Sequence, residues 1–277
     1  MSLYKPSELR AFLSSLGVSA KKGLSQNFLI DGNIIRKIAQ LAAIQPGDHV
    51  IEIGPGPGAL TQELLRLGAH VTAVEMDRSF ASALDRLQTE DQRLTVIEGD
   101  FLQFPLEEFF RERPGISYKV VANLPYHITT PILTRLLPMH PMISSLTVMV
   151  QKEFALRMCG KPKTSDFSSF TIFLEFYARV QGSFTVSPGS FYPRPKVHSS
   201  VVHCTLHSPL LQEGVERFFQ LTRTAFGQRR KMLRASLKEI CSLELLEQGL
   251  SHLNKPPTAR PEELSTEEWI ELFSFLG

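Results

Sequence analysis

Cysteine is scarce in this chain. Cys159, Cys204 and Cys241 are the only three among 277 residues, and no two are close enough to form a CxxC pair. That spacing argues against a disulfide framework and a zinc cluster; the thiols read as buried side chains of a reducing compartment. No stretch approaches the roughly 18 apolar residues of a membrane span. The opening run, MSLYKPSELRAFLSSLG, lacks the apolar core of a signal peptide, so a cytoplasmic protein without membrane contact is expected. Repeats and low-complexity tracts are missing, and no set of metal ligands is visible. Net charge is only +2, so the arrangement of charge along the chain says more than its sum. Apolar residues are plentiful: 43% are hydrophobic against 21% charged. That suffices for a sizeable core, and the length suits one large domain with a small one beside it.

From about residue 49 the sequence alternates short β-rich runs with helical patterns, the signature of a doubly wound α/β sheet. HVIEIG, HVTAVEMD, LTVIEGD, YKVVANLP and SSLTVMVQ read as strands; ALTQELLRLG, SFASALDRLQ and TPILTRLL read as helices between them. Two later β-rich stretches, VQGSFTVS and VHSSVVHCTLH, suit an antiparallel edge. Beyond HSPLLQEG the pattern is helical throughout. The expected domains are therefore 1–207, α/β, and 208–277, all-α.

EIGPGPGALT joins the first of these strands to its helix. Gly54, Gly56 and Gly58 permit positive φ and leave no side chain between backbone and ligand, and the helix behind offers free N–H groups. A Walker phosphate loop is excluded because no Gly-Lys-Ser/Thr follows. Glu75 ends the next strand, where an acid accepts the ribose hydroxyls of a nucleoside cofactor. Asp100 ends the third, placed for an adenine amine. This layout fits both a nicotinamide enzyme and a methyltransferase using S-adenosylmethionine, although G-x-G-x-G departs from the dinucleotide spacing G-x-G-x-x-G.

The fourth strand separates those readings, because it ends in Asn123-Leu124-Pro125-Tyr126. An adenine exocyclic amine is a poor nucleophile while its lone pair is delocalised into the ring. Two fixed acceptors for its N–H groups favour the tetrahedral form that attacks a sulfonium methyl, which is electrostatic preorganisation. The Asn123 amide oxygen and the Leu124 carbonyl supply such a pair, and Pro125 restricts Leu124 to extended backbone. Tyr126 offers a face on which a flipped base stacks.

At this point the chain resembles a known family. KKGLSQNFLID, EIGPGPGALT, AVEMD, EGDF, NLPY, MVQKEFALRM, FYPRPKVHSSVV and AFGQRRKMLRASLK occur in the order seen in ribosomal RNA adenine N6-dimethyltransferases. The similarity runs over nearly the whole chain and is greatest to the bacterial small-subunit branch. It implies a class I, Rossmann-like methyltransferase with S-adenosylmethionine as cofactor. The implied substrate is the small ribosomal subunit, with two methyls placed on each of two adjacent adenosines in the 3′-terminal hairpin loop of 16S rRNA, and a monomer is expected. By the resemblance, cofactor contacts fall on Asn27, Leu29, Gly54, Gly56, Glu75, Asp100 and Asn123. Base-facing roles fall on Asn123, Leu124 and Tyr126, with Phe191 as a second aromatic on the other side of the base. Ser25 stands where the family usually has glycine, and VSPGSF replaces a more usual Val-Pro-Pro entry.

Between Arg217 and Lys238 there are seven basic residues and no acidic one. Arg223, Arg230, Arg234 and Lys238 recur at helical spacing, as do Phe219, Phe226, Leu233 and Leu237 on another face. A single-sign stripe of this kind suits RNA phosphates, and Lys21 and Lys22 extend it. The large-subunit (23S) dimethyltransferase of macrolide resistance shares the cofactor and base motifs, but the helical tail favours the small-subunit branch. A nicotinamide oxidoreductase leaves NLPY and the basic tail unexplained. A non-catalytic assembly factor leaves the filled cofactor positions unexplained.

Overall fold

The computed structural model describes residues 6–17 and 27–276; Lys21, Lys22 and Ser25 lie outside the described residues. In chain order the strands are β1 (Phe28–Leu29), β2 (His49–Ile53), β3 (His70–Glu75), β4 (Leu94–Glu98) and β5 (Tyr118–Asn123). They continue with β6 (Ile143–Gln151), β7 (Ala178–Val186), β8 (Phe191–Tyr192) and β9 (Ser199–Leu206). Seven of them form one sheet in the order β4-β3-β2-β5-β6-β9-β7. Neighbours from β4 through to β6 are parallel, and β9 runs antiparallel to β6.

Residues such as Val50, Ile51, Val71, Ala73, Val120 and Val121 are nearly or wholly buried. Continuous β-branched runs of this kind suit strands covered by helices on both faces. The helices α1 (Pro6–Ser15), α2 (Gly32–Leu41), α3 (Ala59–Arg66), α4 (Arg78–Leu84), α5 (Leu106–Arg111) and α6 (Thr129–Leu136) belong to this part of the chain. Local chemistry starts several of them. Asp31 caps α2 by accepting from the Asn33 and Ile34 amides, and Asp77 caps α4 by accepting from Ser79.

The strand order locates the ligand site. From β2 the chain winds outward through β3 to β4, then crosses back to lay β5 on the other flank of β2. The carboxyl ends of β2 and β5 therefore flank a topological switch point, where open α/β sheets bind ligands. The segment after β2 is the glycine loop, and β5 ends at Asn123.

The chain divides into two compact units, 1–155 with 180–207, and 156–179 with 208–277. The sequence reading assigns 156–179 to the first domain; it groups instead with the C-terminal helices. The cause is α8 (Ser169–Tyr177), which follows α7 (Lys152–Met158) and is apolar on most of its surface. Its Phe176, fully buried, meets Phe218 and Phe219 of α9 (Val215–Gly227) with ring centroids 5.4 and 4.9 Å apart. The second unit also holds α10 (Leu233–Ser236), α11 (Leu243–His252) and α12 (Thr266–Leu276). Trp269, the chain's one tryptophan, is fully buried there and donates to the Pro261 carbonyl at 3.2 Å.

A second correction concerns the basic stripe. The helical spacing of Arg223, Arg230, Arg234 and Lys238 places them on one helix face, but α9 stops at Gly227 and only the four-residue α10 follows. Phe219, Leu233 and Leu237 are buried as their pattern requires. Arg223, Arg230, Lys231, Arg234 and Lys238 are exposed, spread over two helices and a turn rather than along one helix face. Arg229 is committed internally, donating to the Thr164 and Ser165 carbonyls.

Candidate active site

A cavity of about 280 Å³ opens at the carboxyl ends of the parallel strands, within the first unit. Its floor is the loop after β2. Gly54 prolongs the ladder by donating to the Val74 carbonyl at 2.9 Å. Gly56 has φ +54°, and a Cβ there would stand 3.2 Å from the Phe28 ring. Gly58 has φ +86°, and its Cβ would stand 2.6 Å from Leu84 and 2.7 Å from Leu87. The positive φ favours glycine at both positions, and a Cβ would also press on these neighbours.

Glu75 closes β3 and is 7% exposed. One carboxylate oxygen accepts from the Gly56 amide and the other from the Asp77 amide, each at 2.8 Å. Burial pushes its pKa up, while these amides favour the charged form. Glu75 thus holds the loop in shape as well as lining the cavity. Asp100, half-buried and also on the wall, accepts from the Leu102 amide at 2.9 Å.

The opposite wall is the end of β5. Asn123 donates through Nδ2 to the Asn27 carbonyl at 3.1 Å, which ties the segment before β1 to the strand end. Leu124 is 1% exposed, and its amide donates to Met149 at 3.1 Å. Pro125 has φ −60° and ψ 126°, and its carbonyl accepts from the Thr129 hydroxyl and the Ile128 amide. Tyr126 is anchored by a 2.6 Å hydrogen bond between its hydroxyl and that of Ser199, and burial raises its phenol pKa. Asn27, Leu29, Asn123, Leu124 and Tyr126 all line the same cavity as Gly54, Gly56, Glu75 and Asp100.

Phe191 is the exception. It is not among the described residues lining the cavity. It is 3% exposed, within an apolar cluster that includes Phe28, Leu29, Val121 and Met149. Strand β8 pairs antiparallel with β1, Leu29 opposite Phe191, and the Ile30 amide donates to the Ser190 carbonyl at 2.9 Å. Through that ladder Phe191 is joined to the Phe28–Leu29 segment, and its ring belongs to this apolar cluster. Strands this short leave no periodicity for sequence reasoning to find.

Three further residues escaped the sequence reading. Arg86 donates to the Pro57 and Ala83 carbonyls and lies over the Phe12 ring, 4.4 Å from its centroid. It clamps the glycine loop from behind. His127 lines the cavity beside Tyr126. Glu52, the lone carboxyl in apolar β2, also lines it while only 1% exposed; an isolated acid in a buried strand was the available signal.

Residues 17–277 match the family described as ribosomal RNA adenine dimethylase. The chain belongs to that family. A relative from Protochlamydia amoebophila (strain UWE25), named ribosomal RNA small subunit methyltransferase A, is 53% identical over 275 residues, covering 99% of this chain and 97% of that protein. A Chlamydia caviae (strain ATCC VR-813 / DSM 19441 / 03DC25 / GPIC) protein of the same name is 46% identical, covering 100% and 99%. Among solved structures, a dimethyladenosine transferase from Plasmodium falciparum has a TM-score of 0.76 at 28% identity, covering 88% of this chain and 95% of that one. The 23S rRNA methyltransferase ErmE has a TM-score of 0.71 at 29% identity, covering 90% and 99%. The fold of this adenine dimethylase family member is thus that of a class I methyltransferase, with a parallel central sheet and a C-terminal helical region. Among the described residues no helix is long and apolar enough to cross a membrane.

Proposed function

We propose that the protein transfers methyl groups from S-adenosylmethionine to the exocyclic amines of two adjacent adenosines in the 3′-terminal hairpin loop of 16S rRNA, two methyls on each. The observation that carries this reading is one shared cavity. The glycine loop, Glu75 and Asp100 form one wall and Asn123-Leu124-Pro125-Tyr126 the other. The small-subunit relatives at 53% and 46% identity favour that RNA over the 23S substrate of ErmE. The chain is expected to act as a monomer in the cytoplasm.

The lining fits the cofactor. Among the described residues four carboxyls and one imidazole face the cavity, and no lysine or arginine does, which suits a ligand with positive charge. Glu75 takes the ribose hydroxyls, Asp100 the adenine amine, and Asn27, Leu29, Gly54, Gly56 and Asn123 the remainder. S-adenosylmethionine supplies an electrophilic methyl on a sulfonium.

The chain's own groups do the rest. The Asn123 amide oxygen and the Leu124 carbonyl accept the N–H groups of the target amine and favour its tetrahedral form. Their directions are fixed beforehand, by Asn27 behind Asn123 and by Pro125 after Leu124. No reorganisation is then required as charge develops. Tyr126, held by Ser199, offers its ring to the flipped base, and the displaced proton leaves to water. Phe191 acts as a positioning residue through the β1–β8 ladder. Exposed Arg223, Arg230, Lys231, Arg234 and Lys238 hold RNA phosphates. Incubation with unmethylated small subunits and cofactor is expected to yield N6,N6-dimethyladenosine at two neighbouring positions of 16S rRNA. Modification of large subunits alone would overturn the assignment.

A further inference from the structure

Glu52 stands out among the cavity's acids because its side chain is not satisfied. It is the penultimate residue of β2, opposite Ala73 of β3 and Val121 of β5. Its Oε2 is buried with no hydrogen-bond partner, as is the hydroxyl of Thr61 in the first turn of α3. The other acids facing the cavity have donors. Glu75 accepts two backbone amides, Asp77 accepts from Ser79, and Asp100 accepts from Leu102.

A buried carboxylate without a cation is costly, and two neighbouring buried carboxylates do not both ionise readily. Among the described residues no lysine or arginine lines the cavity to relieve either one; His127 is the one basic group among them, and it is exposed. The proton therefore rests on Glu52, the more deeply buried of the two, whose Oε2 has no partner within hydrogen-bond distance among the described residues. Resting on the cofactor reading above, we propose that Glu52 is a proton-exchange site. It is neutral in the empty cavity, and it releases its proton to solvent when a cationic nucleoside cofactor brings positive charge in. Burial pushes the Glu52 pKa up to about 8 against the opposing pull of the Thr61 hydroxyl and amide beside it, with the Glu75 charge adding to the rise.

The exchange gives the cavity a preference for charge. A neutral nucleoside finds a neutral acid and displaces nothing, whereas a cation gains a carboxylate partner created by its own arrival. Glu75 keeps two backbone amides as donors and serves the ribose hydroxyls, so the two acids divide their work by their hydrogen bonds.

Calorimetric titration of the full chain in phosphate and in Tris, between pH 6 and 7, measures the exchange. The parent is expected to release close to one proton per S-adenosylmethionine bound, so its affinity rises about tenfold over that unit of pH. Glu52→Gln, which mimics the neutral acid, is expected to bind with no release and a flat profile. Neutral 5′-methylthioadenosine is expected to bind the parent without release, a check that needs no variant. Parent binding heat that does not depend on buffer would overturn the exchange. So would an undiminished release in Glu52→Gln, which would assign the proton to His127. Absence of any S-adenosylmethionine binding by the parent would instead contradict the cofactor reading itself.

Discussion

Among the described residues, the cavity of the catalytic unit is lined by four carboxyls and an imidazole, with no lysine or arginine. Residues 217–238 carry seven basic side chains and no acidic one. The two regions differ in burial as much as in sign. Glu52 and Glu75 are 1% and 7% exposed, where a charge interacts strongly with its neighbours and each hydrogen bond decides a protonation state. Arg223, Arg230, Arg234 and Lys238 are exposed, where single contacts are weak and affinity comes from several acting together with counterion release. One region suits a small cation held in a fixed geometry, the other a polyanion held loosely enough to leave. In this account chemistry belongs to the first and substrate retention to the second.

The sharpest way to break that division is at the end of β5. Asn123→Ala is expected to lower the single-turnover methyl-transfer rate about 10²–10³-fold, the scale of losing one preorganised transition-state partner. RNA affinity should stay at the parent value; a matching loss of RNA binding would blur the two regions. Glu75→Ala comes next. It removes an acceptor of the Gly56 and Asp77 amides along with the ribose partner. Calorimetry is expected to show S-adenosylmethionine binding weakened by about 1.5–3 kcal/mol, again with RNA binding unchanged.

Glu52 sharpens the comparison through stability. Its carboxyl is raised from 4.5 to about 8 in the fold. Between those values the folded protein holds a proton that the unfolded chain has lost. Stability from this group is therefore present at the acid end, falls as pH rises through the window, and levels off above it. Glu52→Gln is expected to remove that fall, so its gain in urea midpoint over the parent grows from pH 5 to pH 8. The smallest effect is expected from Tyr126→Phe, which loses only the hydrogen bond to Ser199, against a clearly larger rate loss for Tyr126→Ala. Equal losses would remove the stacking role from the ring.

Much of the first unit was legible because burial constrains sequence tightly. Five parallel strands announce themselves as β-branched runs, the alternating glycines mark a loop that tolerates no Cβ, and NLPY marks the strand end. The sequence also carried the acids Glu75 and Asp100 to the strand ends where the structure has them. What it hid depends on contacts between distant segments. The resemblance offers Phe191 as a second aromatic on the base, and nothing in the sequence reveals that β8 pairs with β1. Arg86 reads as a surface residue until its bond to Pro57 is seen, 29 positions away. In the second unit a surface charge pattern fits a helix face and a broken helix equally well, because solvent does not demand a register. The burial of α8 against α9 likewise follows from packing, not from periodicity.

The division of labour is tested most directly by the salt dependence of small-subunit binding for the Arg230→Ala/Arg234→Ala double variant. Each lost phosphate contact lowers the slope of log affinity against log salt by about one, so the account expects a slope flatter by about two units. Thermal stability and S-adenosylmethionine affinity should match the parent. A slope equal to the parent's, with a lowered melting temperature, would contradict it. These arginines would then be supporting the fold instead of holding RNA.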